Sequence, residues 1–229
     1  MKKLLINPSI LTAVLSLACV VVIGASNASA QDRSYLKREA AVKDNMKYAR
    51  RLENIAGPVV MKNADNCGDV TAPYIGAQFA TTDSVGENYQ PVMENLYGTG
   101  LHPTVTMIAK QSPAAQNLQI GDMITAVNGI ALTQGRDSLD EMSDYIYQSK
   151  NTPLTLSVQR DGAQKEIIVK PVTACDIPVR LVNQDAVEVF ADGGKVAVTK
   201  AILKSDASDQ QIGEFIEQEL LEILKEITN

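Results

Sequence analysis

The segment from Ser112 to Gly129 constrains this chain most. It reads Ser112-Pro113-Ala114-Ala115, then Leu118-Gln119-Ile120-Gly121-Asp122-Met123-Ile124-Thr125-Ala126-Val127-Asn128-Gly129. Gly121-Asp122 suits a tight turn into a strand on which Ile124 and Ala126 share a face. Asn128-Gly129 is the preferred pair for a type I′ hairpin turn. Ser138-Leu139-Asp140-Glu141 has capping-box spacing and opens a helix, with Leu139, Met142 and Ile146 along one face. Residues 154–159 alternate in hydropathy, Asp161-Gly162 turns, and residues 165–169 return as a partner strand. Upstream, residues 104–109 are rich in strand formers, and residues 88–97 suit a short helix.

The order of these signals resembles the PDZ domains of bacterial periplasmic proteases and adaptors, over about residues 74–171. The resemblance implies β-augmentation: a peptide adds to a strand edge, backbone N–H groups hold its terminal carboxylate, and a helix-side pocket takes an apolar side chain. Tyr74, Ile75, Gly76 and Ala77 occupy the place of the carboxylate-binding loop, with Phe79 on the groove strand. Leu139, Met142 and Ile146 would line the pocket, although a helix this short must also spend some of its apolar residues on the core.

Residues 1–30 read as an export signal. Lys2 and Lys3 precede an apolar run from Ile10 to Ala25, and Ala28-Ser29-Ala30 places small residues for cleavage before Gln31. The expected location is periplasmic or secreted. One alternative is a retained membrane anchor, although the run is shorter than the ~20 apolar residues that span a bilayer. The other is a lipoprotein site at Cys19, although Ser16 stands where a lipobox wants Leu and apolar residues continue past the cysteine. Cleavage leaves Cys67 and Cys175, an even pair that reads as a disulfide in an oxidising compartment. The whole chain has net charge −6. Such a chain repels phosphate backbones, and no basic stripe is evident, so nucleic acid is not an expected partner.

Residues 34–56 have helical periodicity, with Gly57-Pro58 as a stop signal. After the central block, residues 186–190 and 196–199 read as strands around a turn at 191–195, and a helix starts near Ser208 with Gln211 at capping-box spacing. This order resembles the start of the catalytic domain of exported HtpX-like zinc metallopeptidases, with Asn66-Cys67-Gly68 echoing a preceding element of that family. There the helix carries HExxH, two imidazoles one turn apart on zinc and a Glu acting on the bound water. Here the position reads Gln218-Glu219-Leu220-Leu221-Glu222, and His102 is the sole histidine. Neither a metal nor a cofactor is therefore expected. Ser112 and Ser138 lack the histidines a triad would draw on.

The expected fold is α+β: a PDZ-like β-barrel or sandwich with capping helices, an N-terminal helix before it, and a small β-hairpin plus C-terminal helix after it. The expected divisions are 1–30, 31–69, 70–172 and 173–229. The expected function is a non-enzymatic peptide- or protein-binding adaptor or regulator that recognises C-termini or extended segments of exported proteins. The alternative is part of a metalloendopeptidase, split or completed by a partner. Phe215, Ile216, Leu220 and Ile223 form an apolar helix face that would fold back on the strands or drive self-association. Intact mass spectrometry of the exported protein should give the mass of residues 31–229; a mass that includes residues 1–30 would favour the anchored form.

Overall fold

A computed structural model describes the backbone of residues 9–228 and the side chains of residues 31–227. Lys2 and Lys3, and the side chains of the expected leader's apolar run and of Ala28-Ser29-Ala30, lie outside what it describes. The chain divides into two compact units, residues 1–42 and 43–229. The described residues of the first are helical, and every strand named below lies in the second.

In chain order the elements are α1 (Ser9–Lys62), β1 (Thr71–Tyr74), β2 (Ala77–Ala80), α2 (Gln90–Tyr97), β3 (Thr104–Ile108), β4 (Met123–Val127) and β5 (Ile130–Ala131). They continue with α3 (Asp137–Gln148), β6 (Leu154–Arg160), β7 (Ala163–Val169), β8 (Val172–Cys175), β9 (Val179–Val182), β10 (Val189–Ala191), β11 (Val196–Thr199), α4 (Lys200–Lys204) and α5 (Asp209–Thr228). The main sheet has the order β2-β3-β4-β6-β7, all antiparallel, with β5 hairpinned onto β4. It is open, so the expected barrel does not close, and β2 and β7 are its edges. β1 pairs with β8 as a separate ribbon. In the third sheet β11 pairs antiparallel with β10 and parallel with β9.

Two apolar cores hold the second unit together. One lies between the main sheet and α3: Val105, Ile124, Val127, Met142, Leu154, Leu156 and Val158 are buried in it with Ile75 and Leu118. The other gathers Leu52, Ile55, Ala56 and Val60 of α1, Val196 and Val198 of β11, and Ile202, Leu203, Ile212, Ile216, Leu220 and Ile223 of α4 and α5. Each buried Val, Leu, Ile or Met among them stabilises the fold by roughly 1.5–3 kcal/mol. The Cys67–Cys175 disulfide forms, joining the turn after α1 to the end of β8 across 108 positions.

Several local expectations are corrected by tertiary packing. α1 does not stop at Gly57-Pro58 but continues to Lys62. Val60 is buried beyond the proline, and that burial outweighs the missing backbone donor. Ser138 is not a helix cap: α3 starts one residue earlier, the Ser138 hydroxyl donates to the Gly135 carbonyl, and Glu141 accepts from the Thr133 amide. A bulge between Ile124 and Ala126 shifts the register of β4, so Val127 rather than Ala126 shares the core with Ile124. At α5 the capping box is as expected: Ser208 N donates to Gln211 Oε1, and Gln211 N to Ser208 Oγ. Its apolar face folds back on the chain. Ile216, Leu220 and Ile223 are buried, and Phe215 alone of the four stays 47% exposed.

Asp122, read from the sequence as a turn residue, is fully buried. Its carboxylate accepts from the Gln119 amide at 2.8 Å and from Arg160 Nε and Nη2, each at 2.6 Å. The pair ties the β3–β4 turn to the end of β6. Removing the fully buried Asp122 leaves the partly buried Arg160 without its counter-charge. Asp122→Ala should therefore lose about 3 kcal/mol of stability in urea denaturation, with the double variant Asp122→Ala/Arg160→Ala losing less.

Candidate functional site

The segment Tyr74–Ala77 joins β1 to β2, and its four residues point in different directions for identifiable reasons. Ile75 is buried in the sheet core. Tyr74 packs the other way, against the core under α1, and its phenol donates to Glu53 Oε1 at 3.0 Å. Burial pushes the Tyr74 phenol well above its usual range, and the neighbouring Glu53 carboxylate adds to the shift. Gly57 of α1 makes room for it: a Cβ there would stand 2.6 Å from the Tyr74 hydroxyl.

Gly76 has φ +69°, a left-handed conformation that costs other residues roughly 1–2 kcal/mol. A Cβ on it would also overlap the side chain of Ser112. The Ser-Pro-Ala-Ala turn takes the carbonyls of this segment. Ala114 N donates to the Ile75 carbonyl at 2.9 Å, Ala109 N to the Gly76 carbonyl at 2.9 Å, and Ser112 Oγ to the Gly76 carbonyl at 3.3 Å. All peptide bonds described are trans. In a trans peptide the N–H points opposite to the C=O. The amides of Gly76 and Ala77 are thus both turned away from the Ser-Pro-Ala-Ala turn and β3, toward the unpaired edge of β2. Gly76 is buried, and its N–H meets no acceptor among the described residues.

α3 is held beside that edge at both ends. At its start, Arg136 N donates to Asp83 Oδ2 at 3.0 Å and Arg136 Nη2 to the Asp83 carbonyl at 2.8 Å, just past the end of β2. At its other end, Tyr147 and Lys150 face Thr71, Ala72 and Pro73 of β1 across a cleft of about 260 Å³. α3 therefore runs antiparallel to β2. Its flank bearing Glu141, Asp144, Tyr145 and Gln148 faces β5. The flank bearing Leu139 and Ile146 is left on the other side.

Among the sequence-expected residues, Gly76 and Ala77 offer amides at the edge, while Ala77, Phe79 and Ile146 pack partly buried on the sheet core. Leu139 is half-buried. Met142, at 1% exposure, is a core residue and lines no open wall. Ile75 is likewise core, and Tyr74 faces α1. Sequence reasoning missed Ser112, Glu53 and the Asp83–Arg136 tie. Only Ser112 carried a signal, inside the Ser-Pro-Ala-Ala motif.

The zinc-motif positions do not assemble. Gln218 and Glu222 are exposed, and Glu222 lies 3.5 Å from Lys225 Nζ. Glu219 Oε2 accepts from the Ala191 amide at 2.9 Å. No group of His, Cys, Asp or Glu side chains among the described residues is arranged to hold a metal ion. The residues present do not fit a zinc site.

Residues 73–170 match the family model of the PDZ domain, and this part of the chain is a PDZ domain. No curated protein matches the chain. Solved structures similar to it include the HtrA3 PDZ domain bound to a phage-derived ligand, at 21% identity and TM-score 0.35, covering 45% of this chain and 89% of that one. The HtrA-type protease AlgW with a decapeptide is 19% identical with TM-score 0.36, covering 50% of this chain and 33% of that one. The serine endoprotease from Yersinia pestis is 21% identical with TM-score 0.33, covering 52% and 35%. The chain thus spans about a third of the length of the latter two proteins.

Gly76 supplies both conformation and clearance, whereas Gly98, at φ +69°, has open space around it. Gly76→Ala should cost at least about 2 kcal/mol, backbone strain plus overlap, and Gly98→Ala only about 1 kcal/mol. Urea denaturation of the two variants measures the difference.

Proposed function

We propose that this protein binds the carboxyl-terminal segments of other exported proteins along the free edge of β2. The observation that carries this reading is the pair of Gly76 and Ala77 amides turned to that edge, where the Gly76 N–H has no acceptor among the described residues. A terminal carboxylate brings two oxygens to such a pair. The rest of the peptide then adds as a strand beside β2, in the space flanked by α3.

The wall of that space suggests the order of contacts. Ile146 lies toward the Gly76 end of the groove and Leu139 toward the Asp83 end, seven residues and about 10.5 Å apart along the helix. An apolar last side chain meets Ile146, and a side chain two or three residues upstream meets Leu139. We read the molecule as a periplasmic adaptor or regulator without catalytic activity of its own. Glu219 is the only position of the zinc motif that keeps the expected residue, and it is spent on the β10 backbone. A base without a metal-bound water has nothing to activate.

Fluorescence anisotropy with a library of carboxyl-terminal peptides tests the reading. Peptides with an apolar last residue should bind, and amidation of the terminal carboxylate should weaken them at least about tenfold, the loss of a charge-assisted hydrogen bond. Leu139→Lys should reduce binding while leaving stability within about 0.5 kcal/mol, because this half-buried side chain lies outside the sheet core. Equal binding of amidated peptides, or no binding by the folded protein, would contradict the proposal.

A further inference from the structure

The expectation that no basic stretch interrupts the acidic chain fails at one end of the second unit. Lys47 of α1 and Lys200 and Lys204 of α4 converge on one ring, their ammonium groups 5.2, 5.3 and 5.5 Å from the centroid of Tyr48. All three are within cation–π range. Lys200 also pairs with Asp44 at 2.7 Å. That hydrogen bond holds the Asp44 carboxyl below its usual range, with further pull from Lys200, Lys204 and Lys47. Arg51, nearby in sequence, is spent on Asp209 and on the carbonyls of Leu203 and Ala207. The sequence is polarised in the same sense: residues 31–51 carry net charge +4, whereas residues 52–229 carry −12.

We propose that the lysine cluster of α1 and α4 docks the protein on an anionic lipid surface. Three ammonium groups gathered at one spot repel one another, and a single carboxylate does not neutralise them. A sheet of anionic headgroups does, at about 1 kcal/mol for each lysine near the surface. The acidic remainder is repelled by the same sheet, so the field selects one orientation, with the lysines toward the lipid. A bilayer is favoured over an acidic protein by the sequence itself. The apolar run Ile10–Ala25 ends eight residues before Arg33, and it brings the chain to a membrane whether it is removed or retained. This docking is independent of the β2 groove, and peptide binding in solution can fail or succeed without bearing on it.

The test uses protein recovered from cells expressing the full chain, sedimented with vesicles of phosphatidylcholine or of an equal mixture with phosphatidylglycerol. The protein should prefer the mixed vesicles, and added salt should abolish the preference. The triple variant Lys47→Gln/Lys200→Gln/Lys204→Gln should lose on the order of a hundredfold of it, about fivefold per lysine. If circular dichroism shows that the triple variant fails to fold, Lys204→Gln, an exposed position, should still lose about fivefold. Equal partition into both vesicle types, a preference that survives salt, or a folded variant that keeps the full preference would overturn the proposal. So would tighter binding to soluble polyglutamate than to the mixed vesicles at equal concentration of negative charge, which would assign the surface to an acidic protein.

Discussion

Two consecutive side chains, Tyr74 and Ile75, enter two different cores, and the rest of the structure is arranged around that division. Successive residues of an extended chain point to opposite faces. Here the alternation sends the phenol under α1 and the isoleucine under the main sheet. Neither core can shift against the other without withdrawing one of these residues. Gly76 follows immediately, and its left-handed backbone turns the chain from the β1–β8 ribbon into the edge of the main sheet. The amides at the candidate site are thus aimed by packing on both sides of them.

The same junction is tied a second time, covalently. β1 carries Tyr74 and pairs with β8, whose last residue, Cys175, is bonded to Cys67 after α1. Closing a loop of this length removes roughly 4–5 kcal/mol of chain entropy from the unfolded state in the simplest account. α1, β1 and β8 therefore form a closed circuit: the Tyr74–Glu53 hydrogen bond at one point, the ribbon at another, the disulfide at a third. Lys110 N, donating to Asn54 Oδ1 at 2.8 Å, adds a link from α1 to the turn that takes the Gly76 carbonyl. The candidate site therefore lies beside a junction held at three points.

Much of this was legible in the sequence because turn chemistry is local. Asn128-Gly129 and Asp161-Gly162 have positive φ at both residues, as their hairpins require, and β6, β7, β11 and α5 fall where periodicity and turns place them, whereas β10 begins three residues later than its apolar run and extends into the expected turn at Ala191. The misreadings share another cause. Gly57-Pro58 looked like a stop because the cost of proline is local, whereas the burial of Val60 that outweighs it is not. Met142 fits a groove stripe and a core stripe equally by spacing, and only the packed sheet decides between them. β9 was missed as a partner of β11 because parallel pairing leaves no turn signature. Asp83, Arg136 and Glu53, which set the groove, are ordinary polar residues whose partners lie 21 to 53 positions away.

The last helix shows how one stripe of residues limits the use of the rest. Ile212, Ile216, Leu220 and Leu224 recur every four positions and are buried, which fixes the rotation of α5 against β10 and β11. Gln218 and Glu222 lie about 180° away from the Ile216–Leu220 ridge and face solvent. A metal held by a helix needs ligands from a second element facing the same side, and the second element here lies behind the apolar stripe. Restoring histidines at 218 and 222 alone would place two imidazoles on an open surface, where no third ligand is gathered among the described residues. The groove beside β2 carries no such deficit, since its donors, its wall and its floor all come from one packed unit.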